Sequence, residues 1–299
     1  MGKKKDKKQI QLAKKITYKV NIPSRPKVML EVSRLSENHE PDWRSLSFLI
    51  RGDMALAAAI LQKANTAKGK KQKKLASVEK AIIFLGWQHT KDLLEEMFFT
   101  QSLTRKNNLA NEVREQGVLV AETAMWLVRR MANISPHFRN GCYPLLSLDQ
   151  TYISAMFLNC GMIAMEQHFD NYANFIKKIR QNRNYNLIEA ENKEFGTNHA
   201  LVGYLMSKEW QLPKPVCNII LDHHKAEIFN QPGQKVENLG FTVLHGIILI
   251  VGHLRGEISL KEWELMEDKI LTFFNITHKD IETLAEDLQK ENLEFTHVG

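Results

Sequence analysis

Apolar residues recur at three- and four-residue intervals along nearly all of this 299-residue chain, and no segment alternates with a period of two for long enough to make a strand. A chain patterned this way can bury its apolar surface only by packing helix stripes against one another, so the expected fold class is all-α. With 43% apolar and 25% charged residues there is ample material for a packed core. The longest mainly apolar run, Leu239 to Val251, is interrupted by His245 and Gly246. It falls short of the roughly 20 residues a spanning helix needs, so no membrane span is expected. The lysine-rich N-terminus has no apolar stretch behind it and does not read as a secretory signal, which gives a cytoplasmic expectation. Cys142, Cys160 and Cys217 are widely spaced, with no CxxC, and read as reduced core thiols.

The formal net charge of +7 is unevenly distributed. Residues 1–27 carry ten basic groups against Asp6, giving +9, and the run Lys68 to Lys74 adds +5, which leaves −7 for the rest. Lysine segments of this kind hold polyanions through counterion release, but they lack the interleaved aromatics that stack on single-stranded bases. Nucleic acid is therefore not the expected partner, and residues 1–19 read as a flexible, solubilising tail.

Punctuation along the chain divides the remainder. Residues 20–105 form an expected N-terminal helical lobe. It contains a short helix marked by Val28 to Leu35, one bearing Trp43, Leu46, Leu49 and Ile50, an Ala/Leu-rich helix from Met54 to Ala67, and a long helix capped by Ser77 and running through Phe98. A polar, Asn-rich stretch near Thr104 to Asn111 marks the lobe boundary, and residues 106–292 form the second lobe, with 293–299 a tail. In that lobe helices are expected over Asn111 to Met131, Tyr152 to Met165 and Asn198 to Trp210, followed by one ending at His223-His224. Helices near 171–182 and 186–194 look peripheral. Ser147/Gln150, Ser259/Glu262 and Thr277/Asp280 fit capping boxes, and Ile258/Trp263 and Ile276/Ile281 fit hydrophobic staples.

No Gly-rich phosphate loop, GxSxG elbow or HExxH is present, so chemistry must come from scattered residues. Asn198-His199 stands at a helix start and His223-His224 at a helix end, and a hairpin of those helices brings three histidines into one cleft. Adjacent residues on a helix point about 100° apart, so His223 and His224 are not expected to bind one ion together. The competing structural role is strong, because a histidine near a helix C-terminus is favoured by the macrodipole. His245 and His253 read as packed or rim residues, and Cys160, inside an apolar helix, as a buried thiol.

Five stretches occur in order: Ile22-Pro23 to Pro26, Asp53 to Asn65, Ser77 to Gly86, Asn198-His199 to Gly203, and Leu212-Pro213 to His223-His224. Together they resemble the HDOD domain, the HD-related output domain of bacterial signalling proteins, with Pro23, Asp53, Asn65, Gly86 and Gly161 as structural motif positions. The resemblance implies a multi-helix fold in which an N-terminal lobe packs on a degenerate HD-phosphohydrolase-like bundle, and a regulatory role without hydrolysis. Aligned on Gly161, Leu158 stands where a metal-dependent HD hydrolase has His and Asn159 where it has Asp. The upstream helix offers Glu115-Gln116-Gly117 where another His belongs. Leucine has no ligand atom and an amide has no charge, so no catalytic residue, resident metal or cofactor is expected.

Glu115, Leu158, Asn159, His199, His223 and His224 then line a vestigial cleft, and the expected function is a non-enzymatic signalling or regulatory module that binds a signalling protein partner or a small nucleotide ligand. Two alternatives stand beside it. One is a divergent metal-dependent phosphohydrolase rebuilt from His199, His223, His224 and Glu115; the other is polyanion binding through the lysine segments.

Overall fold

The computed structural model describes residues 2–18, 20, 22, 34, 43–69, 71–101, 108–181, 185–225 and 236–295. Fifteen α-helices and no strand occur among them, so the all-α expectation holds. Pro23, most of the expected Val28 to Leu35 helix and the centre of the expected lobe boundary lie outside the described residues.

The first helix, α1 (Gly2–Thr17), overturns the expectation of a flexible tail. Ala13 and Ile16 sit three residues apart on one face and are fully or almost fully buried, with Leu12 half-buried beside them. That stripe seats α1 on two helices of the second lobe, Cys160–His168 and His199–Glu209, while Lys7, Lys8, Lys14 and Lys15 face solvent. Burial of the stripe supplies what the lysine-rich composition withholds, since a helix dense in like charge has little stability of its own.

The N-terminal lobe comprises α2 (Trp43–Arg51), α3 (Met54–Ala67), α4 (Val78–Leu85) and α5 (Trp87–Gln101). The chain bends by 112° between α2 and α3. Asp53 makes that corner, accepting from the amides of Ala55 at 3.0 Å and Leu56 at 3.1 Å as the N-cap of α3. At the far end of α3, Asn65 clamps Leu75 from both sides, accepting from its N–H at 2.7 Å and donating to its carbonyl at 2.9 Å. Lys74 closes the same loop by donating to the carbonyls of Asn65 and Gly69 and to Gln211 Oε1 in the second lobe. One lysine of the basic run is thus a structural clip. The expected single helix through Phe98 is broken at Gly86, whose φ of 77° ends α4 in a conformation that side-chain-bearing residues resist.

The second lobe is organised around α6 (Asn108–Ile134), which packs against α7 (Leu148–Met156), α8 (Cys160–His168) and α13 (Val236–Leu254). Around them lie α9 (Tyr172–Arg180), α10 (Leu187–Phe195), α11 (His199–Glu209), α12 (Lys214–Asp222), α14 (Leu260–Phe274) and α15 (His278–Phe295). The expected helix Tyr152 to Met165 is two helices, broken over Phe157 to Asn159, so Leu158 and Asn159 occupy the break. α15 runs to Phe295, past the expected start of the C-terminal tail. The Ser259/Glu262 box is complete in both directions, and the bonds of Thr277 with Asp280 match the second expectation. No single helix among the described residues is long and apolar enough to cross a membrane.

Candidate functional site

The histidine cluster is assembled by three consecutive elements. Asn198 caps α11 by accepting from Leu201 N–H at 2.9 Å, which fixes His199 as the first helical residue. α12 pairs with α11 as the expected hairpin and ends at Asp222. His223 and His224 therefore lie in the turn beyond the helix, where the 100° helical spacing no longer governs them. This corrects the expectation that they point apart: their rings are 4.2 Å apart, and both face His199. His199 Nε2 stands 3.3 Å from His223 Nε2 and 3.2 Å from His224 Nε2. The candidate ligand atoms of the three residues all lie within 4.8 Å of one another.

Each ring is held from behind through Nδ1. His199 Nδ1 donates to Glu191 Oε2 at 2.7 Å, His223 Nδ1 to the Ile220 carbonyl at 2.8 Å, and His224 Nδ1 to Glu262 Oε1 at 2.8 Å. Glu191, on α10, also accepts from the His199 N–H at 3.0 Å and from the Tyr172 hydroxyl. Glu262, on α14, gives its other oxygen to the Ser259 N–H at 2.9 Å and hydroxyl at 3.0 Å. Glu191, His199 and His223 are essentially inaccessible to solvent, and His224 is partly so. Burial pushes both glutamates up, but the histidines and hydroxyls bonded to them outweigh it and hold both carboxyls below the ordinary glutamate value. Burial, with the two neighbouring rings, holds His223 well below the usual histidine range.

Leu158 and Asn159, which the resemblance puts at the HD ligand positions, line a nearly closed space that the three histidines do not border. Leu158 is 3% exposed, and the space bounded by Leu158, Asn159, Gln116, Gly117, Arg180 and Glu257 is about 10 Å³, room for about one water. Asn159 Nδ2 donates to Glu257 Oε2 at 2.9 Å. Glu115, expected in the cleft, is exposed and does not line this space, which corrects its placement. The vestigial-cleft expectation therefore divides: His199, His223 and His224 converge, Leu158 and Asn159 close a different spot, and Glu115 joins neither. A groove of about 470 Å³ lies elsewhere, between α2 and α7, bordered by Arg44, Phe48, Arg51, Asp149 and Tyr152.

Cys160 and Cys217 are buried thiols, as expected, and burial raises both. His245 is fully buried and His253 stacks on Trp263 with ring centroids 4.1 Å apart, matching the packed and rim roles expected for them. Two functional-site residues escape the sequence reading. Glu262 is visible there only as a capping residue. Glu191 has a legible signal, an acid on the buried stripe Leu187–Glu191–Phe195 of a helix expected to be peripheral.

The fold is an all-α bundle in which two paired helices bring three histidines together. A family model for the HDOD domain matches residues 22–226, and the chain belongs to that family. Among curated proteins, an uncharacterized protein of Treponema pallidum (strain Nichols) is 23% identical over 272 residues, covering 90% of this chain and 49% of that protein. The chain thus spans about half the length of the curated relative it matches. Among solved structures, the MmoQ response regulator of Methylococcus capsulatus superposes with a TM-score of 0.59 at 16% identity, covering 90% of this chain and 99% of that one. A virulence factor of Campylobacter jejuni superposes at 0.55 and 16% identity, covering 94% and 98%. At these identities the likeness speaks for the fold.

Proposed function

We propose that the chain is a regulatory module of bacterial signalling that works without hydrolysis, by engaging a protein partner. The observation that carries this reading is the closure of the HD position. Metal-dependent phosphodiester hydrolysis needs an ion to make hydroxide and to neutralise the phosphate. Leu158 offers no ligand atom, Asn159 is turned to Glu257, and about 10 Å³ admits no phosphate. The small-nucleotide reading loses its support at that position for the same reason. The structural likeness to a response regulator favours a signalling context.

The test is turnover. Purified protein with added Mn²⁺ or Mg²⁺, offered cyclic dinucleotides, cyclic mononucleotides and nucleoside polyphosphates, is expected to release no product above the buffer rate. Robust turnover that disappears in His199→Ala would overturn the proposal and restore the divergent phosphohydrolase.

A further inference from the structure

All three Nδ1 atoms of the histidine cluster face groups that only accept: two carboxylates and one carbonyl. Each Nδ1 therefore carries a hydrogen, and in the neutral rings His199 Nε2 turns a bare lone pair toward those of His223 and His224 at 3.3 and 3.2 Å, with the three ligand atoms all within 4.8 Å of one another. Lone pairs repel at that distance unless a proton or a metal ion stands between them. Tetrahedral Zn–N bonds of about 2.0–2.1 Å would put neighbouring nitrogens about 3.3 Å apart, the spacing of His199 Nε2 from each of the other two. Histidine ligands backed by carboxylates and a backbone carbonyl are the usual outer shell of a zinc site, since those partners fix the tautomer and aim the ring.

We infer that His199, His223 and His224 bind one divalent transition metal of the zinc class through their Nε2 atoms, with Glu191, Glu262 and the Ile220 carbonyl orienting them. The site takes no ligand from Leu158 or Asn159, so three imidazoles with no bridging carboxylate make it mononuclear. Its outer shell extends beyond the family match, which ends at residue 226. Glu262 joins His224 to the N-cap of α14 through its two oxygens, so metal binding locks that C-terminal helix onto the family domain. The inference is independent of the proposal on hydrolysis: metal without turnover satisfies both, and turnover by a metal-loaded protein overturns only the other.

The experiment uses the full chain, purified without a histidine tag, freed of metal with chelator and titrated with ZnCl₂ and CoCl₂. Expected are saturation at one ion per chain, an intense visible absorption from tetrahedral Co²⁺, and slower amide exchange at residues 259–263 in the zinc form. His224→Gln, at the more open edge of the cluster, should abolish the cobalt spectrum. Glu262→Gln keeps a capping residue and should weaken zinc by about 10- to 100-fold. No saturable one-to-one binding by the wild-type chain, or a His224→Gln protein that binds zinc as tightly as wild type, would overturn the site. The wild-type cobalt spectrum decides the matter even if a variant fails to fold.

Discussion

Gly161 lies so close to His199 that a Cβ built on it would stand 2.0 Å from the His199 carbonyl oxygen and 2.6 Å from the Gly203 amide nitrogen. α8 and α11 therefore meet backbone to backbone, and the first residue of the histidine cluster is positioned by a glycine in another helix. This gives the motif glycine a mechanical reason. Neither neighbour can yield as a flexible side chain would. Gly161→Ala is expected to cost about 3 kcal/mol, at the upper end for overpacking, or to prevent folding at 37 °C. Denaturant unfolding of the variant beside wild type measures it, and an unchanged midpoint would show that the two helices can separate.

The clamp of Asn65 on Leu75 predicts a local and a global effect. Asn65 is fully buried, and Asn65→Ala leaves the Leu75 N–H and carbonyl without their partner. A loss of about 2–4 kcal/mol is expected from two abandoned polar groups. Faster trypsin cleavage within residues 68–74 should accompany it, because the clip made by Lys74 loses its frame. Limited proteolysis at a temperature where both proteins remain folded separates the loop effect from unfolding.

Ile16 decides whether the N-terminal segment is a tail or part of the body. It is 3% exposed on the docked face of α1. Ile16→Ala is expected to cost about 2–4 kcal/mol, the range for truncating a core isoleucine, and a flexible segment would show none. Thermal unfolding distinguishes these results. Substituting the exposed Lys7 or Lys8 should leave the midpoint unchanged.

Glu257 sets a pH dependence. Burial raises its carboxyl above the ordinary value, against the pull of the Arg180 and Arg255 charges and the Asn159 amide. A raised value in the folded state means that folding favours the protonated form. Its contribution is therefore fully present below the unfolded pKa and is lost as pH rises through the folded one. Glu257→Gln keeps an acceptor for Asn159 and removes the charge. It should stabilise the protein at pH 7 by up to about 1 kcal/mol, a partly screened effect, and change nothing near pH 4. Equal midpoints at both pH values would place the ionised carboxylate in water.

The all-α class was legible in the sequence because apolar periodicity directly reflects which face of a helix is buried. The Ser259/Glu262 box was legible because a cap is a short-range bond between residues three apart. The HDOD motif positions were legible too, and the structure supplies reasons for Asp53, Asn65, Gly86 and Gly161. What composition concealed was α1, where seven lysines outweigh a short apolar stripe until another lobe covers it. Helix breaks at Gly86 and at Phe157 to Asn159 also went unseen, since helical spacing continues in register across them.

The candidate site was half legible. Its three histidines could be named from sequence as residues of one hairpin, because α11 and α12 are adjacent in the chain. Their convergence depends on α12 ending one residue before His223, and on carboxylates from α10 and α14 that lie 8 and 38 positions from their partners. Local spacing fixes where a side chain starts on its own helix. Which atom it meets is fixed by the packing of other helices, and only the tertiary structure turns three scattered imidazoles to face one point.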